Sequence, residues 1–185
     1  MQDNDTRNQS ESRPLAMGLT VISALGRLVP HIPNVTPLGG SCLFAGSKIP
    51  GWTAYLLPLV VMSATDAFIG GYRWSSLAIY ACFLINVWIG RTMLRNVSAI
   101  RVGAAAFLCS AQFFVLTNLF MWVEGGITGS PLHKPGFAGL MLTYGLGLPF
   151  WGRTLAGDLL FSAALFAMYE LLARRMAPVR NSATA

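Results

Sequence analysis

MSATDAFIGGYRWSSLAIYACFLINVWIGR, residues 62–91, decides how the rest of the chain is read. It holds the end of one apolar segment, a Gly-Gly turn with Arg73, and the whole of the next apolar segment. Two chemically costly residues lie in it. Asp66 is an ionisable group near the end of a hydrophobic helix, where a charge is expensive and usually functional. Cys82 is a soft, polarisable thiol in the middle of an otherwise inert wall. A carboxylate and a thiol flanking one turn suggest the lining of a small-molecule site.

Composition fixes the medium. Of 185 residues, 54% are hydrophobic and 11% charged, whereas a soluble domain carries about 25% charged residues. The chain therefore reads as an all-α integral membrane protein. At about 20 apolar residues per span, its length allows six or seven helices and no second domain. The net charge of +6 comes from basic residues clustered at segment ends, the positive-inside pattern, and not from a nucleic-acid face. Cys42, Cys82 and Cys109 lie in apolar segments without CxxC spacing, so neither a zinc site nor a disulfide framework is suggested.

Residues 1–13, MQDNDTRNQSESR, are polar and read as a disordered cytoplasmic tail. They have no apolar core before a small-residue cleavage site, so they are not a signal peptide. The six-helix transmembrane domain is expected over residues 14–173, with a basic cytoplasmic tail at 174–185. Pro14 suits a helix start, and Ala16, Thr20 and Ala24 form a small-residue stripe for internal packing or for docking a partner. Pro30, Pro33 and Pro37 keep residues 27–37 out of a regular helix, leaving His31 as a solute-binding group or a solvated loop residue. The segment Leu38–Ser47, LGGSCLFAGS, is too short to span comfortably and reads as a short helix packed tightly inside a bundle.

Trp52–Gly70 and Ser75–Arg91 read as the third and fourth spans. Asp66 either reaches interfacial water, pairs with Arg73, or holds a ligand or a neighbouring helix. Helical spacing sets Ala78, Cys82 and Asn86 on one stripe; the thiol is either a small buried hydrophobe or a soft metal ligand. Val102–Trp122 is the fifth span, and its Gln112 and Asn118 need partners inside the protein. Residues 123–153 read as a long irregular region whose Gly-rich centre, 136–149, is a re-entrant or interfacial lid. Leu155–Leu172, with Asp158 near its start, is the last span.

Nine of the 13 Lys and Arg residues fall on the inner side when six spans are drawn with both termini cytoplasmic, which is the arrangement the positive-inside rule favours. It places His31, Asp66, Arg73, Asn118, Trp122, Glu124 and His133 at or near the outer face, with Cys82 roughly 10 Å deeper at 1.5 Å per residue. A cavity capturing a solute from outside is the expectation.

Five stretches carry a family resemblance: PHIPNVTPLGGSCLFAG (30–46), MSATDAFIGG (62–71), IYACFLINVWIGR (79–91), FFVLTNLFMW (113–122) and LPFWGRTLAGDLLFSAALF (148–166). Over about residues 25–172 the chain resembles small bacterial membrane proteins grouped as transport proteins, similar to the BtuM-type solitary S components of energy-coupling factor (ECF) transporters. The resemblance implies a six-helix S-component fold in the bacterial inner membrane and uptake of vitamin B12 (cobalamin). It also implies that a membrane cysteine, matched here by Cys82, ligates the corrinoid cobalt and assists decyanation of cyanocobalamin, the one enzyme-like activity expected. His31, Asp66 and Tyr80 correspond to pocket residues around the corrin. The chain has no GxxxxGK[ST], so any ATP use belongs to a separate energising module. The rival readings are a transporter for another vitamin with Cys82 merely packing, a membrane scaffold, and a membrane enzyme, for which no HExxH, GxSxG or paired-carboxylate motif speaks.

Overall fold

The computed structural model describes residues 2–29, 32–69, 71–72 and 74–176. All regular structure among them is helical: α1 (Gln2–Leu25) with a following 3₁₀ turn (Gly26–Leu28), α2 (Leu38–Lys48), α3 (Thr53–Ile69), α4 (Trp74–Met93), α5 (Ala99–Thr128) and α6 (Phe137–Met176). The helices α4, α5 and α6 are each long and apolar enough to cross a membrane, and α3 is a shorter apolar helix. Large apolar side chains stand exposed along every long helix, among them Ile22, Phe68, Trp88, Phe107, Leu160 and Leu171. In water such a surface is a liability; against lipid it is what a helix bundle presents. The protein is an all-helical membrane protein.

The short helix α2 is the hub. Every residue from Leu38 to Gly46 is buried, and α2 touches all five other helices. Its composition explains this placement, because glycines let neighbouring backbones come close. A Cβ on Gly46 would meet the Val87 carbonyl of α4, and one on Gly90 of α4 would meet the Leu43 carbonyl of α2. On the α6 side, Gly40 faces the backbone of Phe161 and Ser162. Larger side chains fill what remains: Phe44 packs edge-on against Phe166 and Tyr169 of α6, with ring centroids 5.2 and 5.5 Å away. The expectation of a short helix sealed inside the bundle is met.

The helix α1 lies against this hub through the small-residue stripe. Ala16, Thr20 and Ala24 are fully buried, and the Ser41 hydroxyl of α2 reaches that of Ser23 at 2.8 Å. The stripe serves internal packing. Helix α1 begins at Gln2 and runs through Pro14 to Leu25. Helix α6 runs to Met176.

The largest departure from the sequence reading lies between residues 123 and 153. Instead of a long irregular region with a re-entrant lid, α5 runs on to Thr128, and α6 begins at Phe137 and continues unbroken through Pro149 for 40 residues. Only residues 129–136 are irregular. Gly129 stops α5 in the left-handed conformation, with its N–H returned to Gly125 O, the usual glycine stop. Glycine and proline, which signal a break in water, are tolerated in apolar helices, where neighbouring groups satisfy the freed backbone. At roughly 60 Å, α6 is about twice the bilayer's apolar thickness of about 30 Å.

Gly46→Ala and Gly90→Ala are each expected to destabilise the bundle by about 1–3 kcal/mol, since the intruding methyl meets backbone that cannot rotate away. Gly103→Ala, whose Cβ meets nothing within 4 Å, is expected to leave stability unchanged or slightly raised. Thermal melts in detergent followed by circular dichroism check this; equal midpoints in all three variants refute it.

Candidate functional site

The α3–α4 turn, the α5–α6 loop and the segment before α2 all gather at one end of the bundle, and two cavities open there. The larger, about 800 Å³, lies between the first turns of α4, the second half of α5 and the first half of α6, with Asn34 reaching in from the loop before α2. Asn34 does so from a left-handed backbone, φ 67°, which asparagine adopts more readily than most residues. The walls are aromatic. Phe113, Phe114 and Phe120 come from α5, and Phe150 and Trp151 from α6; Phe114 and Trp151 are stacked with centroids 5.3 Å apart. A volume of this size with mostly apolar walls is typical of a small-molecule site.

Polar side chains are interspersed among the rings, most of them bonded within the protein. Asn118 donates to Phe114 O at 2.8 Å, bonding within its own helix. The Thr143 hydroxyl donates to Gly139 O at 2.9 Å, and His133 Nδ1 lies 3.0 Å from the same hydroxyl. With its one proton given to Gly139, the Thr143 hydroxyl accepts from His133. Trp122 Nε1 donates to Lys134 O at 3.1 Å, tying down the loop that carries His133. Among the described residues Glu124 is the one carboxylate in the lining, and its side chain has no hydrogen-bond or ion-pair partner there. The buried indole N–H of Trp151 also lacks an acceptor among the described residues.

The second cavity, about 220 Å³, shares Ser75 and Ile79 with the first and is lined by Arg27 and Asp66. Here the structure brings together two of the sequence-derived site residues. Arg27 pairs with Asp66 at 2.7 Å, Tyr80 donates to the other carboxylate oxygen at 2.6 Å, and Arg27 also donates to Thr65 at 3.2 Å. Asp66 therefore clamps the end of α1 and α4 to α3. This is the helix-fixing alternative, with Arg27 as partner. Arg73, the partner considered from sequence, and His31 both lie outside the described residues.

Cys82 lines neither cavity. It is 1% exposed, one helical turn deeper than Ala78, which does reach the large cavity. Its stripe faces α5: Gln112 donates to the Cys82 carbonyl at 3.0 Å and to the Asn86 side chain at 2.7 Å. Cys82, expected to face the solute, is buried on this stripe, while Asp66 and Tyr80 bond to each other beside the smaller cavity. Among the described residues no group of three or more His, Cys, Asp or Glu is placed to hold a metal ion.

Asp158 was assigned no role from sequence, yet it is the most deeply buried carboxylate described, 4% exposed. It rests on Gly39, the second residue of α2, where a Cβ would strike the carboxylate. Pro37 gives α2 no side-chain cap, and Asp158 sets a carboxyl group of α6 against the first turn of α2.

The aromatic walls also escaped the sequence reading. The available signal was the two aromatic pairs, FF at 113–114 and FW at 150–151. Their convergence depends on α6 being helical through Pro149, which the sequence argued against.

A double-mutant cycle tests the clamp. Arg27→Ala and Asp66→Ala are each expected to destabilise, because each leaves a partly buried charge unpaired, while the double variant loses less than the sum. The expected coupling is roughly 0.5–3 kcal/mol, read from thermal melts in detergent; strict additivity refutes it.

No curated protein and no solved structure matches the chain. Nearly its whole length, residues 7–180, matches a family of unknown function, DUF6580, and the chain is a member of that family.

Proposed function

We propose that this protein is the solute-binding component of a membrane uptake system. In this reading six helices span the bacterial inner membrane with both termini cytoplasmic, α2 being the short, wholly enclosed member. The observation that carries it is the cavity of about 800 Å³ walled by Phe and Trp rings. It lies at the bundle end opposite Arg91, Arg95, Arg101, Arg174 and Arg175, and the positive-inside rule turns that opposite end outward. Any energising module is a separate protein, because the chain has no phosphate-binding loop.

Vitamin B12 is the solute suggested by the resemblance to BtuM-type S components. The soft Cys82 sulfur suits cobalt; as it bonds to the metal, the thiol loses its proton and cyanide leaves with its electron pair, the two departing together as hydrogen cyanide. This reading makes one demand of the fold: the packed seam between α4 and α5 must open to uncover a thiol that is 1% exposed. The burial of Cys82 favours a second reading, a smaller solute that occupies the cavity as it stands, with Cys82 as packing.

The visible spectrum of detergent-purified protein incubated with cyanocobalamin, beside Cys82→Ala, separates these readings. Retained corrinoid with a shifted spectrum in the parent protein alone is the outcome expected for a thiolate–cobalt bond. Equal retention with unshifted spectra in both removes the cysteine from the chemistry but keeps the substrate. No retention in either overturns the cobalamin reading.

A further inference from the structure

The walls and charge of the large cavity define a solute chemistry that the burial of Cys82 leaves untouched. Five aromatic residues, Phe113, Phe114, Phe120, Phe150 and Trp151, share the lining with one carboxylate, Glu124. Among the described residues no Lys or Arg lies in that lining, and Glu124 has no ion-pair or hydrogen-bond partner there. This contrasts with the smaller cavity, where Arg27 neutralises Asp66. An aromatic ring carries negative charge on its faces, so rings around a site attract a cation, most strongly where water is excluded. An unpaired carboxylate beside them adds attraction of the same sign. An anionic solute would meet the reverse, with no Lys or Arg among the described lining residues to receive it.

We propose that this cavity recognises a flat, positively charged ring: an N-alkylated heteroaromatic cation, or a solute carrying one. The rings supply stacking surface, and Glu124 supplies the counter-charge at the rim of the same chamber. The inference rests on reading this cavity as the solute site; it does not depend on the solute being a corrinoid.

The test uses the full chain in detergent, with N-methylquinolinium as the cationic probe and quinoline, at a pH where it is uncharged, as its neutral counterpart. Binding is followed by quenching of tryptophan fluorescence. The parent protein is expected to prefer the cation by about tenfold, the size of one desolvated cation–π contact with a supporting charge. Glu124→Gln is expected to erase most of that preference while binding quinoline as before, which shows that the variant keeps its cavity. Phe150→Leu gives an independent arm that leaves the charge in place: loss of one ring face is expected to weaken the cation more than quinoline.

Saturable binding of both probes with equal affinity, unchanged in Glu124→Gln, overturns the cation proposal while leaving the cavity as a solute site. Failure of the parent protein to bind either probe overturns the reading of the cavity as a site for ring-bearing solutes, and the cation proposal with it.

Discussion

Contact between backbones through Gly46 and Gly90 brings α2 and α4 together at a separation that no Cβ-bearing pair could reach. The other helices depend on it. Because α2 is narrow and drawn inward, α1, α3, α5 and α6 can all pack around it as well, and its eleven residues act as a central peg. Apolar side chains alone could not produce this arrangement in lipid, where moving a leucine from membrane to protein gains little; close packing and interhelical polar contacts have to supply the cohesion. The glycines provide the first. The Ser23–Ser41 contact and the Gln112–Asn86 bond provide part of the second.

The same constraint shapes the functional end. With α2 only about 16 Å long at 1.5 Å per residue, it ends well short of its longer neighbours. Beyond its first turn α4, α5 and α6 continue without a central helix between them. The cavity of about 800 Å³ occupies that region. Its walls are fixed by rings packed against each other, including Phe114 on Trp151 and Phe114 on Tyr144. Its edge is fixed by the Arg27–Asp66–Tyr80 clamp, which shares the Ser75–Ile79 wall. Charged groups at this end thus behave in two ways: Arg27 and Asp66 neutralise each other and hold helices, whereas the Glu124 side chain in the large cavity has no partner among the described residues.

The fate of individual residues shows how far the sequence could be read. The stripe Ala16–Thr20–Ala24 was legible as a packing surface because spacing alone defines a helix face; whether that face met this chain or another needed the fold. Gln112 was legible as a group in need of a partner, since lipid offers none. That the partners are the Cys82 carbonyl and the Asn86 amide could not be read, because register between α4 and α5 is set by packing. Asp66 was recognisable as costly, but Arg27, 39 positions earlier in the numbering, was one of several cations that could have answered it. The lid expected around 136–149 was misjudged because Gly and Pro were weighed by their behaviour in water.

The sequence by itself determined the medium, the helical class and the position of the short central helix, because hydropathy, segment length and small-residue content act locally and leave a direct trace in composition. Tertiary structure alone decided that α6 passes unbroken through Pro149, that Asp66 is spent on Arg27 and Tyr80, and that Cys82 lies in a seam while Glu124 faces a chamber of aromatic rings. Each of these depends on which faces of distant helices meet. That is fixed by how closely glycine-bearing backbones can approach, a collective property of the packed bundle that no single segment encodes.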